Sequence, residues 1–572
     1  MRGLAQTAPD RASEERRLNL TPGRFLLWCA GGTVLAQMVL AGANSAVASH
    51  LSAAFRFLLT YDTHGNFLLL VLALAAYFLR RRPAALDALR ACTARPWRLA
   101  AVLFPLLCLG ALYVYHDYPL SMDEYAALFQ AETFAAGHLA GAFPPELLDR
   151  LIPTFLQNYF LSVSASTGQV SSTYWPGFSL LLAPFAWLGI PWAANPALGA
   201  LAVPALHRLA KGVTGSTEAA GWTVAFTVAS PVFMVASISY YPLQAHLLFN
   251  VLYALLLLNP SAPRALLAGL VGSVALVLHN PVPHLLFCAA FLAWLASRPG
   301  AARLLAALAL GYLPLSLLLG FGWREHLAQL AVHAAAGAAS PAAAIEVPSA
   351  VRGAWAALIN VVSPPSPEIL YARLAGLSKI WTWGALGLLV LAGYGCGTAR
   401  ATPFLRVLAA AFAVTFFGYF LVRFDQGHGW GYRYIHSAWF VLPLLAGAYL
   451  ARRAGDSRDD LRAMAAWGIL LSLTLANGLR AIQVDSFIGR HKAQVPPLSR
   501  PADPARRELV FIDIRRGFYT HDMVQNDPFL RGSRITMVLE RGPAQAELMA
   551  KRFPAYRKSA EGPWGELWTA PR

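Results

Sequence analysis

Charge is scarce in this 572-residue chain, in which Asp, Glu, Lys and Arg make up 13% of residues. Soluble domains carry about 25%. With 57% apolar residues and a positive mean hydropathy, the composition is that of a polytopic membrane protein. Acidic residues are the scarcest charges, 29 against 46 Lys and Arg, for a net +17. An excess of that size can serve nucleic acid, but no Arg-rich recognition helix or zinc-finger spacing accompanies it. The basic residues fall mostly between hydrophobic segments and in the tails, which makes membrane lipids the partner and excludes nucleic acid. The five cysteines (Cys29, Cys92, Cys108, Cys288 and Cys396) form no CxxC pair, so neither a disulfide framework nor a structural zinc is expected. Walker, GxSxG and HExxH motifs are lacking, which excludes ATP hydrolysis and serine-hydrolase chemistry. There is no tandem repeat. The charged tail 1–24 has no small-residue cleavage site before the first apolar run and reads as a cytoplasmic tail ahead of a retained signal anchor.

What the chain does have is hydrophobic segments: 25–47, 66–79, 99–115, 193–210, 217–236, 243–258, 265–279, 282–296, 303–321, 381–397, 403–421, 434–450 and 463–482. The expected fold class is therefore an all-α polytopic membrane protein of about 13 transmembrane helices. Arg16, Arg17 and Arg24, then Arg80, Arg81 and Arg82, and later His207-Arg208 with Lys211, Arg298 with Arg303, Arg400 with Arg406, and Arg452-Arg453 mark inside loops. Threading through them makes 25–484 a transmembrane module. A large outer loop spans 116–191, within which 176–190 reads as an interfacial helix, and a second outer loop spans 322–380. In the second, Ser363-Pro364-Pro365-Ser366-Pro367 reads as a stiff extended piece. Beyond residue 485 the hydropathy falls. Strands at 508–514, 535–539 and 566–569 with a helix at 544–553 predict a small α/β cap, 485–572, on the outer face. Ala-, Arg- and Leu-rich usage fits a GC-rich bacterial source, and hence an inner membrane whose outer face is periplasmic.

The stretch Ser121-Met122-Asp123-Glu124-Tyr125 sets two carboxylates just past an apolar run and just before a weakly helical stretch, 125–139. Boundary carboxylates are candidates for chemistry, while Ser121-x-x-Glu124 equally fits a capping box; both use the same local signal. Gly427-His428-Gly429-Trp430-Gly431-Tyr432-Arg433-Tyr434 combines glycines that permit close backbone approach with a planar cation. Arg433 suits a lipid phosphate, or snorkels to the interface. His246, His279, His284 and His436 near outer helix ends offer metal ligands or backbone hydrogen bonds. Trp430, Trp439, Trp381 and Trp383 offer sugar stacking or an aromatic belt.

The run Met122-Asp123-Glu124-Tyr125-Ala126-Ala127-Leu128-Phe129-Gln130-Ala131, with 134–139 after it, resembles the polytopic GT-C glycosyltransferases. That group includes the protein O-mannosyltransferases and lipid A aminoarabinose transferases. Ser230-Pro231-Val232-Phe233, Ser239-Tyr240-Tyr241 leading to His246, and Gly431-Tyr432-Arg433-Tyr434 are also similar. The resemblance implies transfer of a sugar from a polyprenyl-phosphate donor to a glycan, lipid or protein acceptor at the periplasmic face, with inversion. It makes Asp123 the general base and Glu124 its catalytic neighbour. Arg433, Tyr432, His246, His279, His284, His428 and Trp430 are the expected substrate-binding residues. Two departures stand out: 239–246 holds no carboxylate, and segments 25–47 and 66–79 precede the acidic loop where one span is usual. A divalent cation, Mg2+ or Mn2+, is accordingly expected only on Asp123 and Glu124 with waters. The alternatives are a lipid-linked glycan transporter or flippase, a scaffold of the same fold, and a glycan polymerase or ligase.

Overall fold

The computed structural model describes residues 20–336, 362–400, 402–452 and 456–571. Arg16, Arg17, Arg453 and residues 337–361 of the expected second outer loop lie outside the described residues. Six helices are long and apolar enough to cross a membrane: Pro22–Asn44, Ala53–Leu79, Pro96–Tyr113, Ala301–Ala331, Pro403–Leu421 and Asp459–Ala493. The pair Arg433–Trp439 and Val441–Ala451, bent by 44°, makes a seventh if it is one span. Most of the other expected segments are shorter apolar helices, among them Leu243–Leu257, Ala262–Val277 and Val282–Ala296. The expected run 217–236 breaks at Ser230-Pro231 into Thr217–Ala229 and Pro231–Ala236, because Pro lacks the N–H a helix interior needs.

Three boundaries differ from the sequence reading. The helix expected at 66–79 begins at Ala53, because polar residues inside it, Asp62 and Asn66, are buried and hidden from a hydropathy scan. Residues 381–397 are not one helix: Pro367–Thr382 ends before Gly387, whose φ of +72° needs no Cβ, and Leu388–Ala399 follows. The last long helix runs through residue 485 to Ala493. The helix Ala84–Thr93 was also hidden from hydropathy. It buries Ala85, Leu86, Leu89 and Thr93 on one face, at helical spacing.

Inside the bundle, Asp62 accepts from Lys379 Nζ (2.6 Å) and Trp383 Nε1 (2.5 Å), and Arg480 Nη1 lies 3.3 Å away. All three charged groups are at most 1% exposed. Arg480 also donates to Tyr61 O and Thr382 O and lies over the Trp383 ring. Three chain segments meet in this knot.

Beyond the bundle, the first outer loop forms an antiparallel sheet in the order Gly141–Ala142, Gln169–Ser172, Leu161–Val163. The C-terminal region forms a four-stranded sheet in the order Arg534–Val538, Glu508–Ile512, Gly565–Thr569, Arg557–Gly562. Its first pair is parallel, with Leu509 opposite Ile535. Helix Pro543–Arg552 follows the strand Arg534–Val538. The strand Arg557–Gly562 escapes sequence reading because its charged edge residues are nearly all exposed and show no apolar alternation. Loop 116–191 and the C-terminal region share a core: Met122, Tyr125 and Phe129 pack with Leu509, Phe511, Met537 and Met549. Each such fully buried side chain contributes about 1.5–3 kcal/mol.

Candidate functional site

Helix Met122–Ala135 opens the site. Ala126, Ala127, Leu128, Gln130 and Ala131 favour helix, and Ser121, extended at φ −136°, starts it by accepting from Glu124 N and Tyr125 N. The capping box does not form. Ser121 Oγ instead pairs with Tyr241 Oη at 2.8 Å, and Glu124 turns toward Leu120 N.

Asp123 is partly exposed, with its side chain at 20%. Oδ2 accepts from Arg433 Nη1 at 3.0 Å, and Oδ1 accepts from the Tyr174 hydroxyl. Burial works to raise its pKa, but the Arg433 guanidinium, helped by His279 and Tyr174, holds the carboxyl below the usual range. Asp123 is thus an anion at neutral pH.

Arg433 is aimed by the loop before it. Gly427, Gly429 and Gly431 have φ of +61°, +123° and +64°, and a Cβ on Gly429 would meet Arg433 Cδ at 2.5 Å. The glycines therefore let the loop close on the arginine. Arg433 Nη2 donates to Gln426 O, its guanidinium lies 4.5 Å from the Tyr241 ring centroid, and its buried Nε has no partner among the described residues.

Glu124 is fully buried. Oε1 accepts from Tyr115 Oη (2.9 Å) and Tyr240 N (2.9 Å), and Oε2 from Leu120 N (3.0 Å). Burial pushes it up to about 8 against those three donors. It ties the Asp123 helix to two neighbouring segments and presents no free oxygen to a substrate, so the expected catalytic role does not match its surroundings. Nor do Asp123 and Glu124 fit a shared cation. Adjacent helix positions face different directions, each carboxylate is already paired elsewhere, and no cluster of three His, Cys, Asp or Glu suited to a metal occurs among the described residues.

The remaining expected residues divide. His279 lies against Tyr174, the rings tilted by 32° with centroids 3.7 Å apart. His428 Nδ1 is 3.5 Å from Tyr241 Oη, and burial pushes its pKa down to about 3, which keeps the ring neutral. Trp430 and Tyr432 are buried behind Arg433, Trp430 against Trp383 and Phe487, and Tyr432 against Gly376. His246 is buried on Leu243–Leu257 with neither ring nitrogen bonded among the described residues. His284 is spent on Asn250 (2.7 Å) and Tyr312 (2.6 Å), and no contact brings it to Asp123. His436 bonds Gln244 at 3.0 Å.

Tyr174, Tyr241 and Asp522 complete the neighbourhood and are not among the expected site residues. Tyr174 carries no signal beyond its place in loop 116–191, and Tyr241 is marked only as part of the Ser239-Tyr240-Tyr241 stretch. Asp522 lies in the C-terminal region, where nothing local distinguishes it from nine other carboxylates of that region.

No protein-family model matches the chain, and no curated protein does. Among solved structures, it is similar to ArnT from Cupriavidus metallidurans in the apo state, with a TM-score of 0.47 and 13% identity. It is also similar to ArnT from the same organism bound to undecaprenyl phosphate, with a TM-score of 0.48 and 12% identity. Both alignments cover 82% of this chain and 97% of the other.

Proposed function

We propose that the chain is an integral-membrane glycosyltransferase that moves a sugar from a polyprenyl-phosphate donor to an acceptor hydroxyl on its outer, periplasmic face. The observation that carries this reading is the Asp123–Arg433 pair at 3.0 Å. An ionised carboxylate beside a guanidinium is what a displacement at an anomeric carbon requires. Asp123 takes the proton of the acceptor hydroxyl, and the acceptor oxygen forms its bond to the anomeric carbon from the face opposite the phosphate. The bond from that carbon to the phosphate oxygen breaks, and the electron pair leaves with the phosphate, which Arg433 stabilises. One displacement inverts the anomeric configuration. Undecaprenyl phosphate, present in one similar structure, is the donor's lipid carrier in this reading. Glu124 holds the helix, and no step passes through a metal ion.

The buried Asp62–Lys379–Arg480 knot favours a second reading, a lipid-linked glycan transporter, because charge within a membrane bundle marks transport paths. Its charges, however, are bonded to one another and to backbone carbonyls.

The test is sugar transfer by membranes containing wild type or Asp123→Asn, across mannosyl, glucosyl, arabinosyl and aminoarabinosyl polyprenyl-phosphate donors. A loss of at least ~100-fold in the variant, the scale of a general base, is expected. Equal rates would overturn the assignment.

A further inference from the structure

Residues 423–432 bring the chain to Arg433 with neither helix nor strand. Backbone N–H and C=O groups in such a loop need partners that no ladder supplies. Gln426, 2% exposed, provides them. Its Oε1 accepts from Arg433 N (3.1 Å), and its Nε2 donates to Gly431 O (2.9 Å). Its own carbonyl accepts from Arg433 Nη2. One residue therefore holds Arg433 at both ends, the backbone through its side chain and the guanidinium through its backbone. Asp425 fixes the start of this clasp. Oδ2 accepts from Ser52 N (2.7 Å), and Oδ1 accepts from Ser52 Oγ (2.9 Å) and Gly427 N (2.6 Å). Ser52 is the N-cap of helix Ala53–Leu79, so the loop is tied to the bundle one residue before Gln426.

We propose that Gln426 is a positioning residue for Arg433, its amide closing the loop 426–433 so that Nη1 meets Asp123. The inference rests on the transferase reading. An arginine side chain samples many rotamers, and a guanidinium serves a developing phosphate charge only when it is held in place beforehand. Asp123 takes Nη1 at 3.0 Å, the Tyr241 ring lies 4.5 Å from the guanidinium, and the Gln426 carbonyl takes Nη2. A side chain of similar length without hydrogen-bonding groups would fill the space of Gln426 and lose both amide bonds, leaving Arg433 N and Gly431 O to find other partners.

The titratable groups facing Asp123 are Arg433 and His428 of this loop, Tyr174 and Tyr159 of the first outer loop, His279, Tyr241 and Asp522. Burial works to raise the Asp123 pKa, and Arg433 leads the groups that lower it. A guanidinium that drifts from Asp123 leaves the carboxyl easier to protonate, which moves the acidic limb of the rate profile to higher pH.

The experiment uses the full-length protein and compares Gln426→Met, Gln426→Asn, Arg433→Ala and the double variant of Gln426→Met with Arg433→Ala against wild type and Asp123→Asn. Transfer from mannosyl, glucosyl, arabinosyl and aminoarabinosyl polyprenyl-phosphate donors is measured from about pH 4 to about pH 9. Hydrogen exchange of the peptide covering residues 427–433 is followed in parallel. Gln426→Met is expected to lower kcat ~10- to 100-fold with acceptor KM unchanged, to move the acidic limb to higher pH, and to speed exchange in that peptide. Asn keeps an amide one methylene short, so it should fall between Met and wild type. In the Arg433→Ala background the Met substitution should cost no more than about threefold further, because a residue acting through Arg433 has nothing left to position. Losses that multiply in the double variant would overturn the inference and mark the clasp as structural only. So would wild-type kcat in Gln426→Met, or failure of both Gln426 variants to fold. Retained activity in Asp123→Asn would instead sink the transferase assignment, and exchange would still report whether Gln426 holds the Arg433 loop.

Discussion

Arg433 Nη1 lies 3.0 Å from Asp123 Oδ2 across 310 positions of sequence. With side chains only 14% and 20% exposed, the pair is largely withdrawn from water, and it sets the charge of the site. With no substrate present the guanidinium holds Asp123 ionised. In the proposed reaction a donor phosphate would offer Arg433 a second anion. Sharing the cation would weaken its grip on Asp123 and raise the basicity of that carboxylate as the acceptor hydroxyl arrives.

Arg433→Ala should therefore change the pH profile as well as the rate. Because Arg433 lowers the Asp123 pKa, removing it moves the acidic limb of kcat to higher pH. Losing the phosphate contact costs about 10²–10³-fold in kcat. Arg433→Lys keeps the charge without the planar fork and should fall between. An unmoved acidic limb in Arg433→Ala would show that the pair does not set the charge of Asp123.

Tyr174→Phe keeps the ring contact with His279 and removes one donor from Asp123. The acidic limb should move upward by less than in Arg433→Ala, and kcat should fall by no more than about 10²-fold, since a hydrogen bond to a charged group contributes about 1.5–3 kcal/mol at most. Initial rates against pH for both variants check the order.

Glu124→Gln separates holding from catalysis. It should keep kcat within about tenfold, where Asp123→Asn loses at least ~100-fold. The stability effect has a definite sign. The folded-state pKa of Glu124 is raised from 4.5 to about 8, so its favourable contribution is complete below the unfolded value and is lost as pH rises to about 8. Gln carries no such dependence. The melting temperature of Glu124→Gln relative to wild type should therefore increase between about pH 5 and about pH 9, which thermal unfolding in detergent measures.

Asp62→Ala leaves Lys379 and Arg480 buried at 1% exposure without their carboxylate. Removing one partner of a buried pair costs about 3–5 kcal/mol, so the melting temperature should drop markedly while transfer at low temperature persists. A folded, stable Asp62→Asn that has lost transport of a lipid-linked glycan would favour the second reading.

Local pattern made much of this protein legible. Apolar runs located most of the helices, and the placing of Asp123 and Glu124 at a helix start beyond an apolar run pointed to the site. Glycines before Arg433 announced a tight loop, as positive φ values there bear out. These features are visible because hydropathy, helix propensity and glycine's conformational freedom act within a few residues. Tertiary structure alone decided which of two neighbouring carboxylates is open: Asp123 faces Arg433, whereas Glu124 is sealed by Tyr115, Leu120 and Tyr240. It also decided that the helix carrying Asp62 begins at Ala53 and that His284 is spent on Asn250 and Tyr312. Each depends on a partner tens to hundreds of positions away, and the energy of a buried charge is set by those partners and by burial, which composition and spacing along the chain do not specify.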